Sequence, residues 1–263
     1  MFNNNFDPVA FSFLIFEIRW YSISYILGIL LGWAYIKKFI IKENSIKILF
    51  DNYISYLIIG IIFGGRLGYV LIYNLEYYLS DLIKIIYIWE GGMSFHGGVV
   101  GVIIASYVFC KIQKLNTFIF LDYVSLSAPI GIFFGRLANF LNSELYGRQT
   151  DILWSVKFLK IDNLDRHPSQ IYEAIFEGLI LFIILNFFLK GLIRFPGKIS
   201  CFFLIFYSLF RFIIEFTREP DLQIGLIFGI LSIGQVISIF TLLVGFILYY
   251  FLWNNKNEEK ITY

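Results

Sequence analysis

Gly135-Arg136-Leu137-Ala138-Asn139-Phe140-Leu141-Asn142-Ser143-Glu144-Leu145-Tyr146-Gly147-Arg148 leaves a hydrophobic run and ends in a polar loop. Within these fourteen residues lie two arginines, two asparagines, one glutamate and two glycines. The run behind it, from about Ile119 to Phe134, carries almost no other charge. A charged side chain at the centre of a bilayer costs several kcal/mol, so an arginine in such a run marks a functional site by default. Whether the run lies in a membrane therefore decides the fold.

The rest of the chain says that it does. Of 263 residues, 59% are hydrophobic and 15% charged, and the mean hydropathy is +0.75. That is too apolar for a soluble domain of this size and fits a polytopic helical membrane protein. A spanning helix needs ~20 apolar residues. Seven stretches qualify, at about 21–41, 50–73, 92–110, 118–141, 168–189, 198–216 and 226–252. The second is interrupted by Gly64-Gly65-Arg66 and the third by Ser94 and His96, so these must face protein or a water-filled cavity. Met1 to Asp7 has no Lys or Arg, which argues against a cleaved secretion signal and keeps the first stretch in the membrane.

Lys and Arg near the span ends set the orientation. Eleven fall on one side: Lys37, Lys38, Lys42, Lys47, Lys111, Lys114, Lys190, Arg194, Lys198, Lys256 and Lys260. Seven fall on the other, diluted by acids; Arg66, Arg136 and Arg211 lie inside spans. The first side is cytoplasmic, which places the N-terminus outside and the C-terminus inside. The longest outer connection runs from about 142 to 167. Phe2 to Arg19 reads as an interfacial arm. The expectation is an all-α integral membrane protein of about seven transmembrane helices, one domain over residues 1–263, with a small periplasmic segment between spans four and five.

Depth then groups the polar residues. At 1.5 Å per residue, Arg66 lies ~12 Å below the outer end of the second span. His96 is four residues inside the third span, and Arg136 six residues before Asn142. Glu173 and Glu177 open the fifth span, Arg211 and Glu215 close the sixth, and Tyr21 starts the first. All lie in the outer half of the bilayer; the inner half has little beyond Asp122. Arg211 and Glu215, spaced i, i+4, share a helix face and can pair. Glu173 and Glu177 have the same spacing and must meet cations or a proton. Arginine is the side chain for bidentate phosphate recognition, and the abundant anion at this depth is a lipid phosphate. The residues alone imply a pocket for an anionic phospholipid head.

Each residue also has a plainer reading. Arg66, Arg136 and the Arg211–Glu215 pair can be structural ion-pair partners. His96 can be a packing histidine, Tyr21 an interface anchor, Asn139 a backbone ligand, and His167 a helix cap. Cys110 and Cys201 read as small hydrophobes. Two histidines without metal-ligand spacing predict no metal site. No phosphate loop, dinucleotide fingerprint or nucleic-acid face is visible.

The opening stretch resembles the signature G-R-x-x-N-F-x-N-x-E-x-x-G-R of the prolipoprotein diacylglyceryl transferase family. Further pieces are similar to it in order: Arg19-Trp20-Tyr21, Gly64-Gly65-Arg66-Leu67-Gly68-Tyr69, Gly91-Gly92-Met93-Ser94-Phe95-His96-Gly97-Gly98, Arg166-His167-Pro168-Ser169-Gln170-Ile171-Tyr172-Glu173, and Phe210-Arg211 through Glu215 to Asp221. The likeness runs from about Phe6 to Phe251. Ala138 and Ser143 depart from it where the family usually has glycine, and Tyr146 where it often has tryptophan.

The resemblance implies a bacterial inner-membrane enzyme with its site facing the outer leaflet. It moves the diacylglyceryl group of phosphatidylglycerol to the thiol of the lipobox cysteine of a preprolipoprotein and releases glycerol phosphate, with no cofactor. Under it, His96, Arg136 and Arg211 are catalytic. Tyr21, Arg66, Asn139, Glu144, Gly147 and Glu215 bind or position substrate, with Glu144 fixing an arginine and Glu215 holding Arg211. An anion transporter would instead show a polar path to the inner leaflet and a repeat with broken helices, and neither is visible. A lipid-binding scaffold would keep the arginines without needing His96.

Overall fold

With no water in a bilayer core, every backbone group must be bonded internally, and helices do this within one segment. The computed structural model, which describes residues 2–13, 16–88, 91–220, 226–227 and 230–254, is mostly helical. Among the described residues, six helices are long and apolar enough to cross a membrane: Trp20–Ile40, Asn44–Ile72, Thr117–Leu141, Ser169–Phe188, Lys198–Thr217 and Ile233–Trp253. The remaining expected span, 92–110, holds a shorter apolar helix, Gly97–Gln113. The helices are α1 (Trp20–Tyr35), α2 (Asn44–Tyr73), α3 (Leu75–Ser80), α4 (Phe95–Gln113), α5 (Thr117–Leu141), α6 (Ser169–Phe188), α7 (Lys198–Ile214) and α8 (Ile233–Asn254).

Short strands qualify the all-α expectation. Residues 2–19, read from sequence as an interfacial arm, supply three. β1 (Phe2–Asn4) pairs parallel with β4 (Val156–Phe158), which pairs antiparallel with β5 (Asp165–Arg166). β2 (Val9–Phe13) and β3 (Phe16–Arg19) form an antiparallel pair. Val9, Phe11 and Phe13 alternate with smaller residues, the period of a strand rather than of an amphipathic helix.

The last span also starts later than expected. Leu226–Ile227 (β6) pairs with Leu231–Ser232 (β7), and Ser232 opens α8. The Ser232 hydroxyl accepts from the Gln235 amide (3.2 Å), and the Gln235 side chain accepts from the Ser232 amide (3.0 Å). This is a reciprocal capping box, visible in sequence as S-x-x-Q.

Backbone contacts divide the chain into two compact units, one of residues 1–36 and 122–262, the other of 37–121 with 263. In the second, α2 and α4 touch backbone to backbone. A Cβ on Gly64 would strike Gly97 and Gly101, and one on Gly97 would strike Gly64 and Gly68. Small residues permit this approach between membrane helices, where lipid gives no hydrophobic drive to associate. Below them Tyr53, Phe109 and Phe120 form a buried aromatic cluster with centroids 5.0–5.4 Å apart.

In the first unit, the buried Asp122 of α5 accepts from the amides of Gly197 (2.7 Å) and Ser200 (2.8 Å) and from the Ser200 hydroxyl (2.6 Å). It satisfies orphan N–H groups that open α7, so this buried carboxylate caps a helix. At the other end of α7 lie the groups that matter below.

Candidate active site

Three helix ends of the first unit bring charge together. Arg136 lies five residues before the end of α5, ~7.5 Å inside it. Glu173 and Glu177 fall in the opening turns of α6, where the backbone passes into wider i→i+5 turns over Ala174–Ile180. Such turns are rare and concentrate at functional sites. Arg211 lies in the last turn of α7, and Glu215 follows it in the i, i+4 position expected to pair.

Arg136 meets Glu173 at 3.0 Å and Glu177 at 3.0 Å. Arg211 contacts the second oxygen of Glu173, lies 3.5 Å from Glu177 and pairs with Glu215 at 2.7 Å. Arg218 adds a third guanidinium 3.6 Å from Glu173. Glu173 and Glu177 are fully buried. Three arginines face three carboxylates, so the cluster is neutral with every group ionised. In a low-dielectric site this balance is required, because one uncompensated buried charge costs several kcal/mol. Glu215 is braced from behind by the Ser232 hydroxyl at 3.0 Å, so the cap of α8 also holds the cluster.

The guanidiniums of Arg136 and Arg211 are thus pre-oriented by carboxylates. Each fork carries five N–H donors, so both can still present hydrogens to an anion from their other edges. Both side chains keep some exposure, 15% and 12%, against 0% for Glu173 and Glu177.

A second set of polar groups in the same unit centres on Asn139 and Glu144. Asn139, almost fully buried, donates to the Tyr21 hydroxyl (3.3 Å) and to Glu144 (3.2 Å), bringing three of the expected substrate-binding residues together. Asn142 donates to the other Glu144 oxygen (3.4 Å), and Gln170 to the Glu144 carbonyl (2.6 Å). The Glu144 carboxylate thus takes two asparagines as partners, and its main-chain carbonyl a glutamine, where an arginine was expected beside it. The sharp turn holding it puts Ser143 at φ 58° and Leu145 at φ 54°, both left-handed. A non-glycine residue pays roughly 1–2 kcal/mol there. That explains why glycine is the usual residue at the Ser143 position in the family resembled. Ser143→Gly is expected to leave the unfolding midpoint unchanged or slightly raised, and Ser143→Val to cost about 1–2 kcal/mol of stability, read as a lowered midpoint. A loss on glycine substitution would show that the 3.4 Å contact from the Ser143 hydroxyl to Asn4 outweighs the strain.

Gly147 follows at a crossing of backbones. Its amide donates to the His167 carbonyl (3.1 Å), it bridges Arg218, and a Cβ would strike the His167 carbonyl and Thr217. Arg166 fixes this crossing by donating to the Gly147 carbonyl (3.0 Å), to Glu219 (3.2 Å) and to Asp162 (2.6 Å). Those bonds hold the Asp162 carboxyl below the usual carboxylate range. Nearby, burial pushes the His167 imidazole down. Arg166 and Arg218 fall within the family-like stretches 166–173 and 210–221, but neither was expected as a site residue. The signal that could have raised Arg218 was its place about one turn beyond Glu215 and two beyond Arg211.

The second unit holds the other two expected residues. Arg66 is buried, and all five of its N–H donors go to main-chain carbonyls: Ile85 (2.8 Å), Lys84 (2.7 Å), Tyr87 (3.1 Å), Gly92 (3.2 Å) and Gly91. Its guanidinium also lies 5.1 Å from the Tyr78 ring centroid. With its donors taken, Arg66 has no hydrogen left for the anion it was expected to bind. His96 lies in the first turn of α4, and its side chain is outside the described residues.

The profile of the prolipoprotein diacylglyceryl transferase family matches residues 8–251. The chain is 52% identical over 245 residues to the phosphatidylglycerol–prolipoprotein diacylglyceryl transferase of Rickettsia bellii (strain OSU 85-389), covering 92% of this chain and 93% of that one. It is 50% identical over 245 residues to the protein of the same name from Rickettsia typhi (strain ATCC VR-144 / Wilmington), covering 92% and 95%. The Rickettsia canadensis (strain McKiel) protein is 50% identical over 246 residues, with the same coverage.

Proposed function

The chain belongs to the prolipoprotein diacylglyceryl transferase family, a family of transferases, and from that premise we propose how its buried ionic cluster acts. The reaction is transfer of the diacylglyceryl group of phosphatidylglycerol to the thiol of the lipobox cysteine of a preprolipoprotein. The glycerol carbon–oxygen bond to phosphate breaks, a carbon–sulfur bond forms, and glycerol phosphate leaves with the proton that the thiol gives up. The observation that carries this reading is the pairing of Arg136 and Arg211 by buried carboxylates that fix their orientation.

Charge grows on phosphate oxygens as the bond to carbon breaks. Preorganised donors aimed at that charge in a dry site are often the largest catalytic term. Arg136 and Arg211 supply them, and Glu173, Glu177 and Glu215 hold their forks in place. Tyr21 and Asn139 orient the lipid head from the rim, and Glu144 and Gly147 shape the edge where a tethered cysteine arrives. An ordinary cysteine has a pKa of ~8.5, so the thiol needs a base or nearby cations, and His96 is the base we assign.

The membrane arrangement belongs to the same proposal. It is one domain that crosses the bacterial inner membrane seven times, a reading supported by the six long helices and the shorter Gly97–Gln113. The N-terminus and the active site lie on the outer side, a reading supported by the Lys and Arg bias. No nucleic acid, metal or cofactor takes part.

The test mixes membranes containing this protein with phosphatidylglycerol labelled in its acyl chains and a lipobox peptide. Label is expected on the peptide cysteine, and its absence sinks the transferase reading for this chain. In the same assay His96→Gln is expected to lose activity at least tenfold; an unchanged rate removes His96 as the base.

A further inference from the structure

We infer that Arg66 is a positioning residue that fixes the start of α4, and with it His96, by clasping the loop that leads there. The inference rests on the proposed transferase function only for its kinetic readout. Arg66 sits on α2 and reaches across to the connection that precedes α4, whose first arm is a short 3₁₀ turn, Leu82–Ile86. Its five donors bind the carbonyls of Lys84, Ile85, Tyr87, Gly91 and Gly92, which lie on both arms of that loop. Carbonyls facing a membrane interior need partners, and a guanidinium is the one side chain with five donors in a rigid fork. The Tyr78 ring backs the fork 5.1 Å away.

The clasp is continuous with the first turn of α4. Gly92, whose carbonyl is held, is four residues before His96. Between them Ser94 donates its amide to the Gly65 carbonyl (2.8 Å), beside Arg66 in the chain, and its hydroxyl accepts from the Gly97 amide (3.3 Å). Gly97 then packs directly on Gly64 and Gly68. The backbone carrying His96 is thus pinned from the loop, from the cap and from the glycine contact, all to one helix. Gly91 and Gly92, at φ 85° and 79°, make the sharp turn that aims their carbonyls inward.

A phosphate ligand and a clasp differ in what their loss does. If Arg66 held the lipid phosphate, its loss would raise KM for phosphatidylglycerol. As a clasp, it leaves KM alone and lowers kcat, because the base is displaced from the reacting thiol. Arg66→Lys keeps the charge but offers three donors without the fork. It is expected to lower kcat at least tenfold, hold KM for phosphatidylglycerol within twofold, and raise amide hydrogen exchange over 84–98. Tyr78→Leu removes the ring but leaves the hydrogen bonds. It is expected to give the same pattern more weakly, and it keeps the question answerable if the arginine variant does not accumulate. A tenfold rise in KM with unchanged kcat and unchanged exchange over 84–98 overturns the inference. So does an Arg66→Lys protein with wild-type kcat. If the wild-type protein transfers no label, the transferase reading fails, while the exchange measurement still reports on the clasp.

Discussion

Glu173→Ala is expected to cost more stability than any other single change in the cluster, roughly 3–5 kcal/mol, read as a lowered unfolding midpoint of the solubilised protein. Glu173 is fully buried and meets three guanidiniums: Arg136 at 3.0 Å, Arg211 in direct contact, and Arg218 at 3.6 Å. Its removal leaves three arginines against two carboxylates in a largely buried site. The same reasoning predicts partial recovery when a charge of the other sign is removed with it. Glu173→Gln combined with Arg218→Gln restores neutrality and should be more stable than Glu173→Gln alone. A Glu173→Ala protein within about 1 kcal/mol of wild type would mean that water reaches the cluster or that Glu173 carries a proton. Either result would also weaken the case that the carboxylates hold the arginines for catalysis.

Much of this cluster was legible in the sequence because helical spacing and depth are one-dimensional facts. Arg211 and Glu215 are one turn apart, and they pair. Glu173 and Glu177 could not share a buried face without cations, and the cations are Arg136 and Arg211, from helix ends at the depth that residue counting gave. Tyr21 and Asn139 meet for the same reason. What counting could not give was which partner each group takes once several lie at one depth. Glu144 had arginines within plausible reach, and it bonds asparagines.

Arg66 shows a deeper limit. An intramembrane arginine reads as an anion site because its charge is costly, but carbonyl oxygens can satisfy it as well as a phosphate can. Those carbonyls belong to every residue alike, so no pattern of side chains announces them. The strands fail to show for a related reason. Phe2–Asn4 pairs with Val156–Phe158, about 150 positions away, through main-chain bonds that either sequence would make with many others. Ser232 was within reach: its S-x-x-Q box marks the start of the last helix, but it was masked by a hydrophobic run that continues unbroken on both sides.

Replacing Arg136 should have the largest effect on rate, and the choice of replacement separates charge from geometry. Arg136→Lys keeps the cluster neutral, so the protein should fold with a midpoint near that of wild type. It loses the planar fork that contacts Glu173 and Glu177 with separate nitrogens and offers its remaining hydrogens to the phosphate. Removing one donor of a preorganised oxyanion site costs roughly 10²–10³ in rate, about 2.7–4 kcal/mol. A hundredfold loss of kcat is therefore expected for Arg136→Lys, with a smaller change in KM, because charge on the phosphate oxygens grows only as the carbon–oxygen bond breaks. Arg136→Met should lose at least as much and should also be destabilised, since Glu173 and Glu177 then face each other with Arg211 and Arg218 alone. If Arg136 only neutralises the two glutamates, lysine should restore both stability and activity. A loss of less than about tenfold in Arg136→Lys, roughly 1.4 kcal/mol, would favour that structural role and move the catalytic weight to Arg211.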